Sequence, residues 1–153
     1  AQTKINDESQ IKLDTINYII KKTKDGETIL VYRRDPDERI RRALRELPEY
    51  PVIPLDRKQI ELNEETIIRI VKAKTNQYRH RLSRKNPFSL DITILNDGTI
   101  ANIFYMFPSE LNLKTRDFKK IDRKIRKNLT AKIDFRFDKP SDHPLVDRSL
   151  DIY

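Results

Sequence analysis

The chain has no cysteine and only two glycines among its 153 residues. The first absence removes disulfide frameworks, thiolate metal sites and cysteine nucleophiles, and it is neutral on compartment. The second is equally restrictive. Both glycines follow an aspartate, in "TKDGE" at 23–27 and "LNDGT" at 95–99, and each lies between runs rich in Ile, Leu, Tyr or Val. Asp-Gly between apolar runs signals a hairpin, because glycine takes positive φ without a Cβ penalty. With Gly26 and Gly98 both in structural turns, neither is left for a phosphate cradle, which excludes the dinucleotide fingerprint and the P-loop. There is also no run of about 18 apolar residues, so no segment reads as a transmembrane helix.

Hydrophobic and charged residues each make up 37% of the chain. The apolar ones are clustered and periodic, which argues for one folded domain over residues 1–153. A chain of this length buries about 68–70% of its unfolded surface. The polar stretches 1–10 and 138–153 read as flexible ends. Between them the pattern divides into a hairpin-plus-helix unit at 11–47 and a second unit at 60–137. A proline-rich connector, 48–59, joins the two, because proline fixes φ and keeps its predecessor out of the helical region.

In the first unit, a three-residue loop at 24–26 places Ile20 opposite Leu30 and Tyr18 opposite Tyr32. "DPDERIRRALREL" then starts a helix, with Asp35 as N-cap, Pro36 in the first turn and Glu38 completing a capping box. Ile40, Ala43, Leu44 and Leu47 form its apolar stripe. In the second unit, Asn63 caps a helix whose face carries Ile67, Ile70, Val71, Tyr78 and Leu82. The stem of Lys74 packs within that face while its amine reaches water. Residues 88–107 give the strongest strand signal. A two-residue turn at Asp97-Gly98 puts Phe88, Leu90, Ile92 and Ile94 on one face with Ala101, Ile103, Tyr105 and Phe107. Thr115 caps a third helix with Phe118, Ile121, Ile125 and Leu129 as its stripe, and Ile133, Phe135 and Phe137 alternate as a half-buried strand. The expected fold is α+β. An antiparallel sheet of about five strands, two hairpins plus a C-terminal strand, packs against two to three helices.

No catalytic constellation is legible. His80 and His143 are far apart, there is no G-x-S-x-G elbow, and no carboxylate pair stands out among 24 acidic residues. Asp138, Asp142, His143 and Asp147 gather near the end of the chain, but such a group reads as a solvated tail. The reading is of a non-enzymatic chain without cofactor or metal. The basic residues are more informative. The formal charge is +8, and residues 116–127 and 64–85 each hold seven Lys or Arg against two acids. Lys119, Lys120, Arg123, Lys124 and Lys127 share one arc of the third helix and are the candidate polyanion-binding residues, since lysine and arginine neutralise phosphate charge. "YRHRLSRK" at 78–85 adds a tyrosine and a histidine able to stack on bases. A basic outer face that only confers solubility is the commoner meaning of such a pattern.

Residues 64–137 run helix, hairpin with "DGTI", helix, strand. Leu90–Ile94, Asp97-Gly98-Thr99-Ile100, Ile103 and the ending "IRKNLTAKIDF" carry the layout. It resembles the C-terminal domain of TonB-type energy transducers, an α-ββ-α-β unit. The resemblance implies binding of partner proteins in the bacterial periplasm. The family's Tyr-Pro pair falls shortly before the hairpin, whereas Tyr50-Pro51 lies some forty residues upstream of it, and "MFPSELNL" replaces the family's Ser-Ser-Gly. The opening "AQT" is similar to the junction left by signal-peptide cleavage, and the chain as a whole looks like an exported, Bacteroidetes-like protein. The expectation is therefore a periplasmic or secreted protein-interaction domain, with cytoplasmic residence as the alternative. β-augmentation at a sheet edge is one route to a partner, and a basic module for nucleic acid or another polyanion is the second reading.

Overall fold

The computed structural model describes residues 9–13, 15–35 and 37–153. The expectations for residues 1–8 and for Pro36 lie outside them. Among the described residues, eight strands and three α-helices follow one another as β1 (Ser9–Leu13), β2 (Ile16–Lys22), β3 (Thr28–Arg33), α1 (Glu38–Arg45), β4 (Ile60–Leu62), α2 (Glu64–Thr75), β5 (Phe88–Leu95), β6 (Ile100–Pro108), α3 (Thr115–Asn128), β7 (Ala131–Ile133) and β8 (Leu145–Ile152). Six strands form an antiparallel sheet in the order β1-β2-β3-β6-β5-β8, and β4 pairs with β7 in a separate two-stranded sheet. The fold is α+β as expected, with more strands than the sequence suggested.

The β5–β6 hairpin sets the core. Its ladder pairs Leu90 with Tyr105 and Ile92 with Ile103, the register of a two-residue turn. The chain reaches that register by another route. Leu95 N–H donates to the Thr99 carbonyl and Gly98 N–H to the Leu95 carbonyl, so the loop comprises residues 96–98. The pairing then shifts between Thr93 and Ile94, where β6 carries one extra residue. The alternation survives: Phe88, Leu90, Ile92, Ile94, Ala101, Ile103, Tyr105 and Phe107 are all buried. Phe118 of α3 packs edge-on against Tyr105 at 5.0 Å, and Phe107 stacks on Phe88 at 5.3 Å. Ile67 and Val71 of α2 and Ile121 and Ile125 of α3 complete the same core.

The first hairpin departs from expectation by one residue. Ile20 faces Val31 and Tyr18 faces Arg33, because Thr23 and Thr28 close the ladder and the loop spans 24–27. The Asp25 carboxylate fixes that loop by accepting from Thr23 Oγ1 at 2.6 Å and Glu27 N–H at 3.0 Å. A one-residue change moves every side chain of a strand to the other face. Tyr32 therefore leaves the core and stacks on Phe104 at 5.6 Å, while Arg33 turns inward beside Tyr18. The strand expected to begin at Ile11 is also divided, with β1 folding back on β2.

Other boundaries move for local reasons. Asp37, not Asp35, caps α1, its carboxylate accepting from Arg39 N–H at 2.8 Å. Lys114 occupies the N-cap position of α3, and Thr115 is its first helical residue. Asn63 does sit at the N-cap position of α2, but its side chain bonds Asn128 O and Thr130 N–H, tying the start of α2 to the end of α3. α2 stops at Thr75, so Tyr78 and Leu82 lie beyond it. β7 stops at Ile133 because Arg136 adopts a left-handed φ of 51° and Asp138 N–H closes a turn on Phe135 O. The expected C-terminal strand of the main sheet is consequently β8, from the segment read as a flexible end. Its Ile152, Leu150 and Val146 oppose Phe88, Leu90 and Ile94.

Candidate functional site

α3 turns its apolar stripe and both of its acids toward the protein. Phe118, Ile121 and Ile125 are buried, as are Asp117 and Asp122. Asp122 accepts from Tyr105 OH at 2.6 Å and Tyr18 OH at 3.4 Å, and pairs with Arg126 Nε at 2.8 Å. Burial, followed by the Asp122 charge, pushes the Tyr105 and Tyr18 phenols well up. Asp117 accepts from Tyr78 OH and from Gln77 Nε2 at 3.2 Å. Burial and then Asp117 raise Tyr78 to about 12. With both acids directed inward, Lys120, Arg123, Lys124 and Lys127 stand exposed and Lys119 half-buried on the outer arc. The helix spans about 21 Å at 1.5 Å per residue. The structure thus brings all five sequence-named cations onto one surface.

The same structure removes part of the nucleic-acid argument. Tyr78, expected to be available for stacking, is half-buried, with its hydroxyl bound to Asp117 and accepting Lys114 N–H at 3.0 Å. Arg79, His80 and Arg81 remain exposed after the end of α2.

A second surface was misread in the sequence. Leu44 and Leu47, placed in the apolar stripe of α1, are exposed, and Ala43 alone of that helix is buried. Tyr50 and Ile53 in the connector continue the exposure, with Ile53 86% exposed. Phe137, assigned to a half-buried strand, is fully exposed. The connector is tied to the loop that carries Phe137. Gln59 Nε2 donates to Asp134 O at 3.0 Å and Asp138 Oδ2 at 3.1 Å, and Tyr50 OH donates to Asp142. These bonds hold a proline-rich segment with large apolar side chains against solvent. The available signal was Tyr50 and Ile53 lying among prolines, where no helix or strand can fold them inward.

The acidic residues and histidine near the end do not converge. Asp142 binds Tyr50, Asp147 accepts from Thr93 Oγ1 at 2.9 Å, and Asp138 engages Gln59 while His143 Nε2 lies 3.8 Å from it. Among the described residues, no group of three or more His, Asp or Glu is placed to hold a metal ion. Gly26 and Gly98 occupy the turns expected of them, at φ of 73° and 91°.

These features define an α+β domain with an antiparallel six-stranded sheet, a basic outer helix and an exposed apolar connector. No protein-family model matches the sequence, and no curated protein matches it. The fold is shared with a solved structure, the crystal structure of a DUF5043 family protein from Bacteroides uniformis ATCC 8492. The match has a TM-score of 0.65 and 9% identity, and it covers 97% of this chain and 87% of that one. At that identity the likeness is one of fold. The helix, hairpin, helix, strand order of residues 64–137 is present as α2, β5, β6, α3 and β7, but β7 pairs with β4 outside the hairpin's sheet, and no link to the TonB family is shown.

Proposed function

We propose that the chain is a non-catalytic, exported domain that binds another protein through the apolar surface formed by residues 44–53 and Phe137. One observation carries this reading. Four large apolar side chains, Leu44, Leu47, Tyr50 and Ile53, are exposed within ten residues of chain, on a segment anchored by the Tyr50 hydroxyl to Asp142. Large apolar side chains gathered on a surface are costly to keep in water and characterise protein-binding sites. Of the main sheet's two edge strands, β8 is the less suited to augmentation. β8 carries Arg148 on its inward face, a charge placement that discourages strand addition.

Comparative affinity capture from an envelope fraction tests the proposal. A partner retained by the native chain and lost with Ile53→Ser and Phe137→Ser, at unchanged melting temperature, supports it. Identical retention by native and variant chains contradicts it. The upstream coding sequence tests the exported location, which requires a signal peptide. The fold shared with a Bacteroides protein is the support for a Bacteroidetes-like origin.

The outer arc of α3 favours a second reading, binding to a polyanion. Its prediction is steep salt dependence, because each phosphate neutralised releases a counterion. Oligonucleotide affinity should fall with added salt, and Lys120→Glu with Lys124→Glu should abolish binding. No binding at low salt removes this reading.

A further inference from the structure

The register of the first hairpin decides the outward face of the main sheet as well as its core. Residues paired across strands share a face, so Ile19 with Tyr32 and Leu30 with Met106 point away from α2 and α3. Phe104 joins them, stacked on Tyr32 at 5.6 Å. All five are half-buried, and none belongs to the core or to the apolar residues packed against it. An antiparallel sheet that faces water ordinarily turns its apolar residues inward and its polar ones outward. Here the centre of the outward face, on β2, β3 and β6, is apolar instead. Its flanks carry opposite charges. Lys12 and Lys21 lie on this face from β1 and β2, and Asp91, Asp147 and Asp151 lie on it from β5 and β8. All five are exposed, and none is in an ion pair with a described residue. Asp147 and Asp151 accept only from the hydroxyls of Thr93 and Ser89. Two cations at the rim are already engaged: Arg34 pairs with Asp35 at 3.1 Å, and Arg84 lies over the Tyr153 ring at 5.4 Å. Partial burial, and then the charge of Asp147, raise the Asp91 carboxyl above its ordinary value, so a facing cation would relieve it.

We propose that this outward face is an interface between two copies of the chain, packed sheet on sheet. The face is complementary to itself in one arrangement. A two-fold axis parallel to the strands, between β3 and β6, lays β1 and β2 of one copy over β8 and β5 of the other. Lysines then meet aspartates, and the apolar centre meets its counterpart. A two-fold axis across the strands would instead set aspartate on aspartate. An isologous contact of this kind closes at two subunits. Two sheets facing each other about 10 Å apart form the two layers of a β-sandwich. Six strands about 4.8 Å apart and about 20 Å long present about 550 Å² on each copy, and pairing covers about 1,100 Å² in all, enough for a specific interface of modest size. Neither the cations of α3 nor residues 44–53 and Phe137 contribute to this face, so the inference is independent of both surfaces above.

The lack of cysteine makes cross-linking a clean test. Lys12→Cys and Asp147→Cys are prepared as separate full-length variants and treated with a short bismaleimide, alone and mixed. The mixture should give a covalent dimer and neither variant alone should, because β1 of one copy faces β8 of the other. Sedimentation of the native chain should show a monomer–dimer equilibrium, and Tyr32→Lys with Met106→Lys should weaken it at least tenfold. Asp147→Lys should also weaken it, and adding Lys12→Asp to the same chain should restore it. This charge exchange carries the test if the Tyr32 and Met106 variant fails to fold. Ile53→Ser with Phe137→Ser, and Lys120→Glu with Lys124→Glu, should leave association unchanged. The proposal is overturned if the native chain stays monomeric at its highest soluble concentration. It is equally overturned if either cysteine variant cross-links to itself as readily as in the mixture, or if the charge exchange restores nothing.

Discussion

Gly98 and Gly26 occupy equivalent dipeptides but answer to different constraints. A Cβ at Gly26 would meet only the flexible Lys22 Cε, at 3.4 Å, whereas one at Gly98 would lie 3.0 Å from the backbone carbonyl of Ala131. Left-handed φ costs an L-residue about 1–2 kcal/mol at either position. Gly26→Ala should therefore cost about 1 kcal/mol and Gly98→Ala clearly more, as read from denaturation midpoints. Equal losses would show that the approach to β7 is unimportant. The left-handed turns were legible from Asp-Gly alone; the backbone contact was not, because it joins segments far apart in sequence. Asp122 was equally hidden. It sits in a run of lysines and arginines, and only the fold shows it buried beneath Tyr18 and Tyr105. Asp122→Ala should cost about 3 kcal/mol, the scale for breaking a buried ion pair and stranding its partners.

At the scale of elements, α1 depends on its cap more than on its packing. Asp37 is held down to about 2, first by the Arg39 side chain and also by the Arg39 N–H. A depressed carboxylate contributes stability that is full above its unfolded value, about 3.9, and is lost as pH falls through about 2. Asp37→Ala should remove about 1 kcal/mol at neutral pH, and Asp37→Asn should keep the cap while flattening this part of the acid profile. A variant with native acid sensitivity would contradict the assignment. β8 depends on a different pairing. Arg148 lies on the inward face opposite Ile92, donates to Ile60 O at 3.3 Å and pairs with Glu64 at the start of α2. Glu64→Ala should cost about 1–3 kcal/mol by leaving a buried guanidinium short of a partner, and Arg148→Met should cost less. The reverse order in urea denaturation would be inconsistent with this account. That arginine also explains why β8 was not legible. It interrupts the apolar alternation of Val146, Leu150 and Ile152, in a stretch that begins just after Pro144. The β5–β6 hairpin and the α3 stripe were legible because their periodicity is unbroken. The first hairpin's register was not, since one loop residue decides it and either loop length suits Asp-Gly.

For the whole molecule, the buried phenols set an alkaline limit. Tyr18 and Tyr105 are pushed up by burial and Asp122, and Tyr78 reaches about 12. Unfolded tyrosines ionise near pH 10. The native chain therefore holds more protons than the unfolded one above that pH, and stability should be full below about pH 10 and fall as pH rises toward 12. Denaturation midpoints that stay level to pH 11.5 would contradict this. The candidate surfaces divide in the same way as the fold. The five cations of α3 were legible from charge and helical period, whereas the apolar surface was not, because Leu44, Leu47 and Phe137 fit core patterns that their elements do not complete. The central claim, that this surface receives a partner protein, is tested most directly by placing a photo-crosslinking side chain at position 53 and, separately, at position 120 in living cells. The account predicts one discrete adduct from position 53 that is absent from position 120. No adduct from 53, or the same adduct from both, would contradict it.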